Sequence, residues 1–273
     1  MRSLFICLTA LLMVGCAGSS HDNLNSTLWM QTAAEYRANT MQTFKAAEMQ
    51  LEKAVDDKSW TAALEQSGNF GDKPPAIVLD VDETVLDNSP YQASNVLNNK
   101  PFEGASWDAW VAKASARAIP GAADFLSKAR SLGIAVVFLT NRECRERPGN
   151  SETCPQHEET LRNLQSAGLL DGDITDEDRK RLLLKYQQEG WSSEKKSRRS
   201  YLAERYRIIM LFGDDLGDFL PDVKKNITSA ERAQQVDKNN AKWGTKWFAL
   251  PNPTYGSWQR VLPQPAKSNL RTR

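Results

Sequence analysis

Histidine is nearly missing from this chain. Only His21 and His157 occur, one in a polar N-terminal stretch and one beside a cysteine-bearing loop, so neither an imidazole metal cluster nor a phosphohistidine enzyme is expected. Also absent are a Gly-rich phosphate loop ending in Gly-Lys-Ser/Thr, a Gly-x-Ser-x-Gly elbow, and a cysteine followed at the right distance by a phosphate-binding arginine. Charge of either sign is not in excess. With 35 Lys and Arg against 34 Asp and Glu, the net charge is +1, which supplies no field for a nucleic-acid polymer or an acidic membrane surface. There is no internal repeat and no low-complexity tract.

A long hydrophobic run is lacking too. The apolar stretch Leu4 to Val14, behind Arg2, is too short to span a bilayer and reads as the core of a secretory signal. It ends in Met13-Val14-Gly15-Cys16, which resembles a bacterial lipoprotein processing site, with Met13 where Leu is usual. Residues 1–15 are therefore expected to be a signal peptide, Cys16 the lipidated residue, and 16–25, small and polar, a flexible tether. The alternative is an ordinary signal cut near Ala17 or Gly18. Ala17 is not the acidic residue that retains lipoproteins at the inner membrane, so an exported protein at the outer membrane is expected, facing the periplasm or the exterior. Of the four cysteines, Cys144 and Cys154 then remain as an even pair across a short polar loop. In an oxidising compartment they suggest a disulfide; the alternative is two free thiols.

What the chain does contain is organised around Ile77 to Tyr91. Ile77-Val78-Leu79 has the character of a buried parallel strand and stops at Asp80, with Asp82 two residues on. If the extended geometry persists, both carboxylates point the same way, about 7 Å apart, at the strand end where open α/β sheets bind ligands. Two anions that close need a cation between them or a proton on one of them. Upstream, Trp29, Ala33, Tyr36, Thr40, Phe44, Ala47 and Leu51 recur at helical spacing and predict one long amphipathic helix, capped by Asn25 or Ser26, with a second short helix over 59–66. Residues 26–70 are assigned to N-terminal helices that contribute to a cap.

Downstream, Trp107 and Trp110 stand at helical spacing within 101–117, and 122–131 reads as a helix. Ile134 to Leu139 is a second buried strand delivering Thr140-Asn141-Arg142. A helix over 156–167, a short strand at 182–184 and a helix over 195–206 follow. Ile208 to Phe212 is a strand ending in Gly213-Asp214-Asp215-Leu216-Gly217-Asp218-Phe219, and Trp247 to Leu250 is a last strand. Strands alternating with helices predict an α/β fold, a Rossmann-like parallel sheet flanked by helices, with a small helical cap. The core is placed at 71–257, the cap insertion near 92–119 and a C-terminal tail at 258–273.

Three buried strands thus end in polar groups: Asp80 and Asp82, Thr140 and Asn141, Asp214 and Asp218. Oxygen ligands favour magnesium over zinc. Asp80-Val81-Asp82-Glu83-Thr84, Leu139-Thr140-Asn141-Arg142, Lys196-Ser197 and Gly213 to Phe219 together resemble the four motifs of the haloacid dehalogenase superfamily. More narrowly they resemble its four-aspartate branch, the class C acid phosphatases of the lipoprotein e type, and the resemblance runs from the signal to Asn252-Pro253-Thr254-Tyr255-Gly256. Thr140 stands where this branch usually has serine, and Asp215 where Asn is common.

The resemblance implies a phosphomonoesterase in which Asp80 is the nucleophile and Asp82 the acid and then the base. Mg²⁺ would sit on Asp80, the Asp82 carbonyl and Asp214. Thr140, the Asn141 amide and Lys196 would hold the phosphoryl oxygens, with Lys195 as the alternative lysine, and Asp218 and Asp215 would act from behind. Lys195 to Arg199 can equally be a solvated helix face. Trp107 and Tyr255 would flank a nucleobase or nicotinamide ring; the simpler assignment for Trp107 and Trp110 is core. Glu83 and Asp87 read as turn-stabilising acids, one of them a partner for Arg142. The expected partners are small phosphomonoesters, above all 5′-nucleotides, and a membrane through the lipid alone, with the oligomeric state left open and a homodimer among the alternatives. Rival activities are a phosphotransferase, a sugar-phosphate phosphatase, or a surface lipoprotein that binds without catalysis.

Overall fold

The computed structural model describes residues 21–272. The expected signal at 1–15, the lipidation candidate Cys16 and the tether as far as residue 20 lie outside the described residues. Among the described residues no helix is long and apolar enough to cross a membrane.

The strands are β1 (Pro75–Leu79), β2 (Leu86–Asp87), β3 (Arg117–Ala118), β4 (Ala135–Glu143), β5 (Leu182–Lys185), β6 (Arg207–Gly213) and β7 (Trp247–Ala249). The helices are α1 (Leu24–Thr32), α2 (Ala34–Glu48), α3 (Leu51–Asp56), α4 (Ser89–Leu97), α5 (Gly104–Ala112), α6 (Ala122–Ser131), α7 (Pro155–Ser166), α8 (Asp176–Lys180), α9 (Lys196–Ala203), α10 (Ser229–Lys238) and α11 (Ser257–Arg260). Five strands make one parallel sheet in the order β5-β4-β1-β6-β7. Its central strands are apolar on both faces because helices cover both. Alternation along β1 sends Ile77 and Leu79 into a core with Phe125 and Phe212, and Ala76 and Val78 into a second core with Leu211 and Trp247. Between β1 and β4 the chain makes the antiparallel β2–β3 ribbon, α4 and α5.

Four N-terminal expectations need correction. The single long helix is three, because Ala33 is extended at φ −75 and ψ 126, and the chain turns again at Met49 and Gln50 before α3. The break lets one apolar stripe follow two surfaces, α1 against α4 and α2 against α6 and β7. Helix α2 therefore belongs to the core rather than to a cap, with Phe44 5.6 Å from Phe125 and 5.7 Å from Phe212 between ring centroids. Residues 24 and 25, assigned to the tether, are already in α1.

Nor is 59–66 helical. Its polar groups are committed over long range: the Ala62 amide donates to the Ile208 carbonyl at 2.8 Å, the Trp60 indole to the Ile209 carbonyl at 2.9 Å, and the Gln66 side chain accepts from the Ile208 amide at 3.0 Å. Buried Arg207 completes this seam by donating to the carbonyls of Ala54 and Val55 at 2.7 and 2.8 Å, at the negative end of α3. Helices α8 and α10, not anticipated, each begin with a capping box, Thr175 with Asp178 and Thr228 with Glu231, a signature that was readable in the sequence.

Candidate active site

Strand β1 ends at Leu79 and delivers Asp80; β6 ends at Gly213 and delivers Asp214 and, one 3-10 turn later, Asp218. Neighbouring parallel strands bring these together, and one oxygen each from Asp80, Asp214 and Asp218 lie within 4.8 Å of one another. The Gly-Asp-Asp-Leu-Gly-Asp sequence has a steric reason. A Cβ on Gly213 would overlap the Asp218 carboxylate, and one on Gly217 would overlap the Lys224 side chain.

The lysine of the site is Lys195, not Lys196. Its Nζ lies 2.5 Å from Asp80 Oδ1 and 2.6 Å from Asp218 Oδ1, and the side chain is buried, while Lys196 is exposed. Helical geometry is the reason: positions 195, 198 and 199 share a face, which Lys196 and Ser197 do not. Arg198 and Arg199 are fully buried on that face. Arg198 donates to the Thr140 carbonyl at 2.5 Å and Asn141 Oδ1 at 2.6 Å; Arg199 donates to the Asp218 carbonyl at 2.9 Å and pairs with Glu65 at 2.8 Å. A solvated face is thus excluded, and the i, i+3, i+4 spacing of the cations was the signal that would have selected Lys195.

Asp82 stands apart from the three-carboxylate cluster. Arg142 is its partner, rather than Glu83 or Asp87: Nη2 donates to Oδ1 at 2.8 Å and Nε to Oδ2 at 3.2 Å. Asn88 Nδ2 donates to the same Oδ1 at 2.9 Å. Thr140 is buried, with its hydroxyl 3.5 Å from Asp82 Oδ2 and accepting the Arg142 amide at 3.0 Å. The Asn141 side chain turns to Arg198 and the Ser193 carbonyl. Asp215 also turns away, accepting from the Gly217 amide at 2.8 Å and the Ser257 amide at 2.6 Å. Burial raises its pKa, yet these bonds prevail and hold the carboxyl below its ordinary value. Asp87 accepts the Ser89 amide at 2.8 Å at the start of α4, as a turn-stabilising acid does.

Two residues named in the sequence, Asn252 and Glu83, have contacts at the site that the sequence reading did not assign. Asn252, just beyond β7, donates to Asp214 Oδ2 at 2.7 Å. Glu83, buried and in the left-handed region at φ 56, accepts from the Asn88 amide at 3.0 Å and from the Tyr255 hydroxyl. Burial, aided by the Asp82 charge, pushes Glu83 up to about 8 against those bonds.

The carboxylates open into a cleft of about 1090 Å³ whose walls include Asp80, Asp82, Asp214, Arg142, Trp107 and Tyr255. Trp107 is half-buried, edge-on to Tyr91 at 5.2 Å and 5.9 Å from the Arg142 guanidinium. The Cys144–Cys154 disulfide closes the loop after β4.

Electrostatically the cluster is under-compensated. Asp80 is pushed up from 3.8 to about 6, chiefly by burial, with Asp218 and Asp82 adding and Lys195 opposing. Asp214 is also raised, by burial first and then by Asp218 and Asp80. Three oxygen donors around one point, short of positive charge, fit a hard divalent cation held by carboxylates and water.

A parallel sheet whose strand ends carry such a cluster is an α/β fold with a site suited to a divalent cation at its carboxyl edge. The family model described as HAD superfamily, subfamily IIIB (Acid phosphatase), matches residues 16–258, and the chain belongs to that family, one of phosphomonoester hydrolases. It superimposes on the class C acid phosphatase from Bacillus anthracis with a TM-score of 0.76 at 30% identity, covering 93% of this chain and 98% of that one. The tungstate-bound structure of the same enzyme gives 0.76 at 31%, covering 93% and 99%. Among curated proteins, acid phosphatase 1 of Solanum lycopersicum is 25% identical over 216 residues, 76% of this chain and 68% of its own. A stem 31 kDa glycoprotein of Glycine max is 26% identical over 207 residues, 74% of this chain; the match spans 66% of that relative's length.

Replacing Lys195 with Met should lower phosphatase kcat by about a hundredfold or more, the typical effect of deleting a charge-stabilising donor, whereas Lys196→Met should leave kcat close to wild type. The reverse ranking in a p-nitrophenyl phosphate assay would refute the assignment. A pH dependence follows from Asp80. Between 3.8 and about 6 the folded, cation-free protein holds a proton there that the unfolded chain releases, so this group's contribution to stability falls as pH rises through that window. A bound divalent cation must displace that proton. The rise in melting temperature on replacing EDTA with a saturating divalent cation should therefore grow from pH 4 to pH 6; an increment independent of pH would contradict it.

Proposed function

We propose that this chain is a Mg²⁺-dependent phosphatase that cleaves phosphomonoesters, 5′-nucleotides and nicotinamide mononucleotide among them, through an aspartyl-phosphate on Asp80. The observation that carries this proposal is the position of Asp80, at the mouth of β1, paired with the Lys195 ammonium and clustered with the Asp214 and Asp218 carboxylates, with Asp82 held two residues away by Arg142 and Asn88. Magnesium would be held by the carboxylate oxygens of Asp80 and Asp214, with the Asp82 carbonyl as the family resemblance implies, and when bound it supplies the positive charge that lets an anionic nucleophile meet an anionic ester.

In the first half of the reaction an Asp80 oxygen attacks phosphorus as the bond to the ester oxygen breaks, and Asp82 gives that oxygen its proton. In the second half Asp82 takes a proton from water, the water oxygen attacks phosphorus, and Asp80 leaves with its electron pair. Lys195 stabilises the charge gathered on the phosphoryl oxygens. Asp218 orients Lys195 through their 2.6 Å contact, and Asn252 orients Asp214. The acid phosphatase family to which the chain belongs supports turnover in the acid range. The tungstate in the Bacillus anthracis relative, a tetrahedral oxyanion, supports a phosphate-sized anion in this cleft. Trp107 and Tyr255, both on its walls, support a flat aromatic leaving group between them, Tyr255 being steadied by its bond to Glu83.

Phosphate release from adenosine monophosphate should be abolished by EDTA, restored by Mg²⁺, and reduced by several orders of magnitude in Asp80→Asn, because the nucleophile acts as part of a unit. Chelator-insensitive turnover, or a rate flat from acid to pH 9, would defeat the mechanism. Export and lipidation at Cys16 are part of the same proposal, on the strength of Leu4 to Cys16, with the outer membrane as destination. Cys16→Ser should move the protein from the membrane pellet to the soluble fraction, and unchanged membrane association would reject the anchor.

A further inference from the structure

Trp107 is carried by α5, a nine-residue helix with no side-chain N-cap and a single buried residue, Val111. So short an element has little rigidity of its own. Two of its side chains bond within the same insertion: Trp110 to Asn88 Oδ1 at 2.8 Å, and Ser106 to the Tyr91 hydroxyl at 3.0 Å. Among the described residues, its side-chain hydrogen bonds to elements beyond β3 all run through Asp108, the neighbour of Trp107.

The partner of Asp108 is Arg147, inside the disulfide-closed loop. Nε and Nη2 of Arg147 fork onto Asp108 Oδ2 and Oδ1 at 2.7 and 3.0 Å. Nη1 and Nη2 fork onto Glu159 Oε1 and Oε2 of α7 at 2.5 and 2.9 Å. Gln156, also on α7, donates to Asp108 Oδ1 at 2.9 Å. A planar guanidinium gripping two carboxylates, one on the insertion and one in the core, fixes direction as well as distance. Arg147 is not a wall of the cleft, and the proposed reaction makes no use of it.

We infer that Arg147 is a specificity-determining positioning residue: it locks α5 to α7 so that the Trp107 ring stands where a flat leaving group must stack. The inference rests on the leaving-group assignment made above. It predicts selectivity more than turnover, because Asp80, Thr140, Lys195 and Asp214 are held by β1, β4, α9 and β6, and α5 reaches Asp82 only indirectly, through Asn88 and Arg142.

The test compares KM for adenosine 5′-monophosphate with KM for glycerol phosphate, which carries no ring. In Arg147→Met the ratio of the two should rise about tenfold, the scale of effect expected when a positioning group is displaced, while kcat for glycerol phosphate stays within about twofold. Asp108→Asn, milder for folding because it leaves the Arg147–Glu159 pair intact, should move the ratio the same way. The double variant should add little to either single change, since both break one link. Equal KM changes for both esters, no change in either, or fully additive effects would overturn the inference. Trp107→Ala separates the two levels. If it leaves the ratio unchanged, the ring assignment falls and this inference with it; if it raises the ratio and Arg147→Met does not, the inference alone falls.

Discussion

Like charge held at close quarters is the constraint on which this structure turns. Asp80, Asp214 and Asp218 meet within 4.8 Å at the end of an apolar sheet, where burial disfavours the charged forms of Asp80 and Asp214. One ammonium, from Lys195, answers them and is shared between Asp80 and Asp218. Burial first, and then like charge that Lys195 does not fully offset, raises the pKa of Asp80 and Asp214. A site in that condition favours a divalent cation and, once neutralised, tolerates a phosphate.

The same helix face that supplies Lys195 supplies the scaffold. Arg198 grips the Thr140 carbonyl and Asn141, and Arg199 grips the Asp218 carbonyl, so α9 ties the end of β4 to the turn after β6. Neither arginine needs to touch substrate. Buried N–H groups need fixed acceptors, and the ones these arginines use include two backbone carbonyls of the site, Thr140 and Asp218. Arg142, beneath Trp107 and forked onto Asp82, links the acid–base group to the wall of the leaving-group cleft in the same way.

Much of the layout was legible from local pattern. The strands at Ile77, Ile134 and Ile208 are continuous apolar runs bounded by polar residues, and their carboxyl ends carry the candidate groups, because parallel order places those ends together. Less legible was anything decided by partners far along the chain. Helical spacing runs unbroken through Ala33, yet the chain bends there to let one stripe meet both α4 and α6. Residues 59–66 look helical, yet their polar groups bond to Ile208 and Ile209. The choice of Lys196 came from its neighbour Ser197, and only the face shared by Lys195, Arg198 and Arg199 places the right ammonium.

By itself the sequence determined the alternation of strands and helices, the carboxylates that follow β1 and β6, and the oxygen character of the donor set, all of which depend on residue type and short-range periodicity. The tertiary structure decided which oxygens converge, that Asp82 faces Arg142 while Asp218 joins the cluster, that Asp215 turns to Ser257, and that Asn252 reaches Asp214 from another strand. Those outcomes depend on strand neighbours and loop packing, where a side chain is directed by residues tens of positions away, and no local spacing encodes that direction.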